Sequence, residues 1–184
     1  MRLSLTGRMV VGLLVVFALF LTYHVIPPSP VIAPTSSPSP TPQAVGFDSA
    51  AKCHIRGVLP DPNCTPGVID SAVTQANISE TICKSGYTKT VRPAASYTNK
   101  LKKQQIAAYG FTDTNLKDYE EDHLISLELG GSPTDPKNLW PEPGSSPNAK
   151  DHIENLCHKK VCNGEISLAK AQKEIASNWQ TACQ

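Results

Sequence analysis

The sequence predicts an α+β domain, on three observations. Hydrophobicity alternates with period two over His123–Leu129, where Leu124, Ser126 and Glu128 interleave with Ile125, Leu127 and Leu129. Gly130-Gly131 follows as a turn, and Asn138-Leu139-Trp140 returns as a short second strand before Pro141. Stretches with helical spacing and capping residues flank this pair on both sides. The expected architecture is a strand–strand–helix core at 119–160 with flanking helices. A loop-rich N-terminal part, braced by disulfides, precedes it.

From the N-terminus, residues 9–26 are apolar except for Gly12, Thr22 and His24, and none is charged. At 1.5 Å per residue this run is about long enough for a bilayer core. Arg2 and Arg8 precede it and no charge follows until Asp48, which places residues 1–8 in the cytoplasm and the rest outside. A signal-anchor is the expected reading. A cleaved signal peptide is the alternative, with Val31-Ile32-Ala33 as its best cleavage site. Residues 27–46, rich in Pro and Ser, read as an extended spacer. Residues 47–184 are then an exported domain on a bacterial cell membrane, or a secreted one if the signal is cleaved.

The whole chain has 17 basic and 16 acidic groups and a net charge of +1. Arg2 and Arg8 lie before the apolar run, so the exported part is close to neutral. That excludes a polybasic tail and an acidic disordered chain. Cys53, Cys64, Cys83, Cys157, Cys162 and Cys183 all lie in the exported part. They are even in number and in an oxidising compartment, so disulfides are expected. The pairing stays open. No CxxC spacing occurs, which argues against a zinc ribbon.

Residues 53–92 read as irregular, punctuated by Pro60, Pro62, Pro66, Gly67 and Gly86. Residues 98–109 read as a helix capped by Thr98 or Asn99, with Leu101, Gln105, Ile106 and Tyr109 on one face and Gly110 as its stop. Lys84, Lys89, Arg92, Lys100, Lys102 and Lys103 form a basic stripe without an acid, a candidate contact for nucleic acid. After the strand pair, Ser146 as N-cap and Pro147 at the first position open a helix that ends at Gly164. Ser167 caps a last helix, whose Leu168, Ala171, Ile175 and Trp179 make a core stripe.

The segments YEEDHLISLELGG, NLWPEP and AKDHIEN, in this order and spacing, resemble the HNH (ββα-metal) endonuclease superfamily over residues 119–158. With LPDPNCTPG, TIC and VRP, the chain more narrowly resembles a family of small exported bacterial HNH-type proteins. The resemblance implies a ββα-metal fold and metal-dependent hydrolysis of phosphodiester bonds in nucleic acid, DNA above all. It makes His123 the general base, Asp122 the first metal ligand, and Asn138 the residue that holds His123 in orientation. The further metal ligand from the helix is open among Asn148, Asp151 and His152, and the narrower family's helix pattern favours the first two. Lys150 is a candidate phosphate contact and Glu154 a supporting partner. Chemistry agrees. Hydrolysis needs a base that is neutral near pH 7 and a Lewis acid for the charge growing on phosphate. One divalent ion is expected, Mg, Mn, Zn or Ni. The alternative is a non-catalytic envelope module that uses the same scaffold to bind DNA or another surface polymer.

Overall fold

The computed structural model describes residues 52–184. The apolar run 9–26 and the spacer 27–46 lie outside them. Among the described residues no helix is long and apolar enough to cross a membrane. The elements run α1 (Tyr87–Val91), α2 (Ala95–Ala108), β1 (Tyr119–His123), β2 (Leu139–Pro143), α3 (Ala149–Cys162) and α4 (Leu168–Asn178), with short 3-10 turns between them. The fold is α+β, and its one sheet among the described residues is the antiparallel pair β1–β2.

The strand pair sits earlier than the alternation predicts. β1 ends at His123, opposite Leu139, and Leu127–Leu129 is a 3-10 turn instead of strand. Leu124, Ile125, Leu127 and Leu129 are all buried, so this segment has no solvent face to alternate against. Asn138 makes the exit from the sheet. Its Oδ1 accepts from Ile125 N (3.0 Å), and its Nδ2 donates to the carbonyls of Ile125 and Ser132 (3.0 Å each). One amide side chain thus replaces the partner strand that Ile125 would otherwise need. Gly131 is required beside it, because a Cβ there would fall 1.7 Å from the Ile125 carbonyl oxygen. Replacing Asn138 with alanine would orphan these buried backbone groups and should cost about 2–4 kcal/mol. Thermal melting checks this. An unchanged melting temperature would mean the loop closes without Asn138.

Helix starts differ from expectation too, but for local reasons. α2 begins at Ala95, before the expected caps Thr98 and Asn99, and its N-cap Ala94 offers no side-chain bond. Pro93 holds Arg92 extended just upstream, so the proline sets the break. Gly110, with positive φ, follows its end as expected. α3 begins at Ala149, capped by Asn148 and not by Ser146. Asn148 Oδ1 accepts from Lys150 N and Asp151 N, and Asp151 Oδ2 accepts from Asn148 N at 2.6 Å, a reciprocal capping box. Ser167 does cap α4, accepting from Lys170 N.

Leu168, Ala171, Ile175 and Trp179 are all buried, as the stripe predicts, and join Cys157, Val161, Ile125, Leu129 and Val73 in the main core. A smaller cluster of Cys53, Ala108, Tyr109 and Trp140 lies on the other side, between the N-terminal segment, α2 and β2. The cysteines pair as Cys53–Cys64, Cys83–Cys162 and Cys157–Cys183. The last two tie α3 to the loop-rich segment and to the C-terminus. Both close long loops, whose restraint of the unfolded chain compensates for a small core.

Candidate functional site

β1 ends at the mouth of two cavities, of about 340 and 390 Å³. They share Arg92, Glu120, Glu121, His123 and Ser146 as lining. The first faces α2 through Ala95, Thr98 and Lys102. The second faces α3 and adds Asp122, Ser126, Asp151 and Glu154. Alternation along β1 turns Asp122 and His123 to opposite faces. Both still reach the second cavity, because His123 is the last residue before the chain leaves the sheet.

His123 is buried, and its Nε2 lies 3.0 Å from the Pro133 carbonyl oxygen. A carbonyl only accepts, so Nε2 carries the proton and Nδ1 holds a free lone pair. Burial lowers the imidazole pKa, and the Pro133 bond offsets only part of that. His123 is therefore neutral near pH 7, the state a base requires. Asn138 orients it through the backbone. Its side chain fixes Ile125, and its carbonyl accepts from Leu124 N at 2.8 Å.

Asp122 is held from two sides. Oδ1 meets Lys150 Nζ at 2.9 Å, and Oδ2 accepts from Trp140 Nε1 at 3.0 Å. Lys150 is 1% exposed and also donates to the His123 carbonyl (2.9 Å) and to Glu154. Burial pulls its ammonium pKa down, but Asp122 and Glu154 outweigh that and leave it above the ordinary lysine value. Lys150 is thus an internal counter-ion, out of reach of a phosphate. Trp140 is core, and its indole N–H has a partner there.

The expected metal ligands divide. Asp122 and Asp151 line the second cavity. Asn148 is occupied as the helix cap, although its Nδ2 reaches toward Glu120 and Glu142 at 3.4 and 3.5 Å. His152 lies on the exposed side of α3 and lines neither cavity. The donor set of the second cavity still fits a hard divalent cation. Apart from His123 its donors are oxygens, from carboxylates and the Ser126 and Ser146 hydroxyls, and both Glu121 oxygens are buried with no hydrogen-bond partner. Burial raises the Glu121 carboxyl to about 9 and the Glu154 carboxyl to about 8. Burial, with Asp122 nearby, also raises Glu120, and raises Glu142 to about 8. Glu121, whose carboxyl has no partner, therefore keeps its proton near pH 7, whereas Glu154 is matched by Lys150. Among the described residues, the only three ligand atoms already drawn within 4.8 Å of one another belong to Cys83, His158 and Cys162, and there the two sulfurs are bonded to each other.

Glu121 gives a pH signature of its own. Its folded pKa, about 9, lies above the ordinary value of 4.5. The folded state therefore binds the extra proton between these values, and stability should fall as pH rises from about 5 to 9. Glu121→Gln should flatten that decline and raise stability at pH 8 by up to roughly 5 kcal/mol, about 1.4 kcal/mol for each pH unit above 4.5. Melting curves of both proteins in EDTA, from pH 5 to 9, test this. Parallel slopes would show that Glu121 is not the buried acid.

Of the basic stripe, Arg92 alone borders His123 in both cavities. Lys84, Lys89, Lys100 and Lys103 are exposed on α1, α2 and the preceding loop. Lys102 borders the first cavity, but its ammonium is turned inward. It is buried and donates to the Leu116 and Tyr119 carbonyls at 3.0 and 2.7 Å, holding β1 onto α2. The Pro133 carbonyl and Glu142 were not foreseen, because a backbone oxygen and a glutamate that pairs across the hairpin carry no sequence signal. Comparison with protein-family models, curated proteins and solved structures finds no match for the chain.

Proposed function

We propose that the chain is an exported HNH-type endonuclease that hydrolyses phosphodiester bonds of nucleic acid with the help of a divalent metal ion. The observation that carries this reading is the state of His123. It is a buried, neutral imidazole with Nε2 tied to a carbonyl and Nδ1 free, set among carboxylates at the end of a hairpin that leads into a helix. Nδ1 takes the proton from the attacking water. Arg92 anchors a non-bridging phosphate oxygen at the cavity rim. Glu120, Glu121, Asp122 and Asp151 are the residues that would hold the cation, with Mg²⁺ or Mn²⁺ the best match to oxygen donors. When bound, that ion would polarise the phosphate and offset its growing charge. Lys150 holds the Asp122 carboxylate in place and fixes the His123 carbonyl. Lys84, Lys89, Lys100 and Lys103 supply the salt-sensitive hold on the polymer. Three disulfides support export, since they persist in oxidising compartments.

Digestion of plasmid DNA and of RNA by the purified chain, with Mg²⁺, Mn²⁺, Zn²⁺ or Ni²⁺ against EDTA, tests the proposal. Metal-dependent nicking is expected. Salt-sensitive binding without cleavage under any of the four ions would instead establish a non-catalytic polymer-binding module.

A further inference from the structure

Away from the His123 cavities, α3 carries His158 and Cys162 one turn apart. Cys83 approaches from the loop-rich segment and is bonded to Cys162. The two sulfurs and a ring nitrogen of His158 lie within 4.8 Å of one another. Tetrahedral zinc with two thiolates and an imidazole needs ligand separations of about 3.5–4 Å. Once the sulfur–sulfur bond is gone, small side-chain rotations suffice to reach them.

The imidazole is prepared for this. Its Nε2 lies 2.8 Å from the Ile82 carbonyl oxygen, so Nε2 donates there and Nδ1 is the nitrogen left for a cation. A ligating histidine is held in this way, with its other nitrogen donating to a carbonyl. Glu128 Oε2 lies 4.0 Å from Nδ1, and Glu128 Oε1 is buried with no hydrogen-bond partner. An oxygen donor thus stands beside the group with unused capacity. Cys83–Cys162 is also the one disulfide whose two cysteines are both partly exposed. Cys53 in the first bridge, and both cysteines of Cys157–Cys183, are buried. A reductant therefore meets Cys83–Cys162 first.

We propose that Cys83, Cys162 and His158 form a redox-gated site for a thiophilic divalent cation of the zinc class, closed while their disulfide stands and open once it is reduced. A dithiol reductant gives two electrons and two protons to the sulfur–sulfur bond and leaves as its own disulfide. The cation then displaces the two thiol protons to solvent and binds the thiolates with His158 Nδ1. The Cys157–Cys183 bridge keeps α3 tied down meanwhile.

The test uses the full chain, reduced stepwise with dithiothreitol under nitrogen, with the opened pair mapped by alkylation and mass spectrometry. After removal of reductant, Co²⁺ is the probe. The expected result is that Cys83 and Cys162 are alkylated first. Chain opened at that pair alone should bind one Co²⁺ with thiolate charge-transfer and tetrahedral ligand-field bands, which Zn²⁺ then abolishes. The oxidised chain should show neither band. His158→Ala should weaken Co²⁺ binding by about tenfold or more. Opening of another bridge first, or absence of the charge-transfer band, overturns the proposal. So does equal Co²⁺ affinity in His158→Ala, including the case where circular dichroism shows the reduced chain unfolded and binding only through loose thiols.

Discussion

His123→Ala should lower metal-dependent cleavage of nucleic acid by about 10²- to 10⁴-fold, the usual contribution of a positioned base. The fold should survive, because His123 contributes one hydrogen bond, to Pro133, and the hairpin ladder does not use its ring. The informative comparison is with exogenous imidazole. A cavity that opens to solvent beside Arg92 and Glu120 can admit a small base, so partial rescue at millimolar imidazole is expected. Circular dichroism and melting must be unchanged for the loss to count. Full activity in a folded His123→Ala protein would falsify the mechanism.

Lys150→Met should have the largest effect on stability, about 3–5 kcal/mol. In a domain of this size that is a fall in melting temperature of roughly 10–20 °C. The cause is what remains behind. Lys150 Nζ is the shared partner of Asp122, Glu154 and the His123 carbonyl, and it is almost wholly shielded from water. Without it, Asp122 keeps only the Trp140 indole, and a buried carboxylate loses its counter-charge. Glu154 can take up a proton, given that burial already raises its pKa to about 8. The double variant Asp122→Asn/Lys150→Met should recover a large share of the loss, since Trp140 Nε1 can donate to the asparagine oxygen and no charge is stranded. A double variant less stable than the sum of its singles would show that Asp122 and Lys150 do not act as a pair. Lys150→Arg tests shape, because a planar fork cannot serve three acceptors arranged around one nitrogen.

Much of this molecule follows from local sequence. The Ser167 cap, the stop at Gly110 and the stripe Leu168, Ala171, Ile175 and Trp179 obey short-range rules of hydrogen bonding and helical period. The order of strand, turn, strand and polar helix was legible for the same reason. The family resemblance offered Asp122 and His123 with Asn148, Asp151 or His152, and the structure brings Asp151 to their cavity. The pattern failed where burial removes the contrast it depends on. Leu124–Leu129 alternates in sequence but is buried on both sides, so Asn138 and a 3-10 turn replaced the expected strand. Charge was equally ambiguous. Lys102 and Lys150 look like surface cations in sequence, yet each is buried with its ammonium bonded inward, whereas Arg92 stands at the cavity. His152 and His158 lie on one helix, and only the structure turns the first to solvent and sets the second between Ile82 and the Cys83–Cys162 bridge.

The sequence by itself determined an α+β chain with six cysteines, an apolar N-terminal run and a histidine next to an aspartate at a strand boundary, which it expected to be the strand's start and which the structure makes its end. Tertiary structure alone decided which cysteines meet, which cations are counter-ions and which nitrogen of His123 is free. The physical reason is reach. Helix caps, stops and periodicity are settled within a few residues. Disulfide pairing across Cys83 and Cys162, the Asp122–Lys150 ion pair and the Pro133 carbonyl behind His123 depend on groups brought together only by folding.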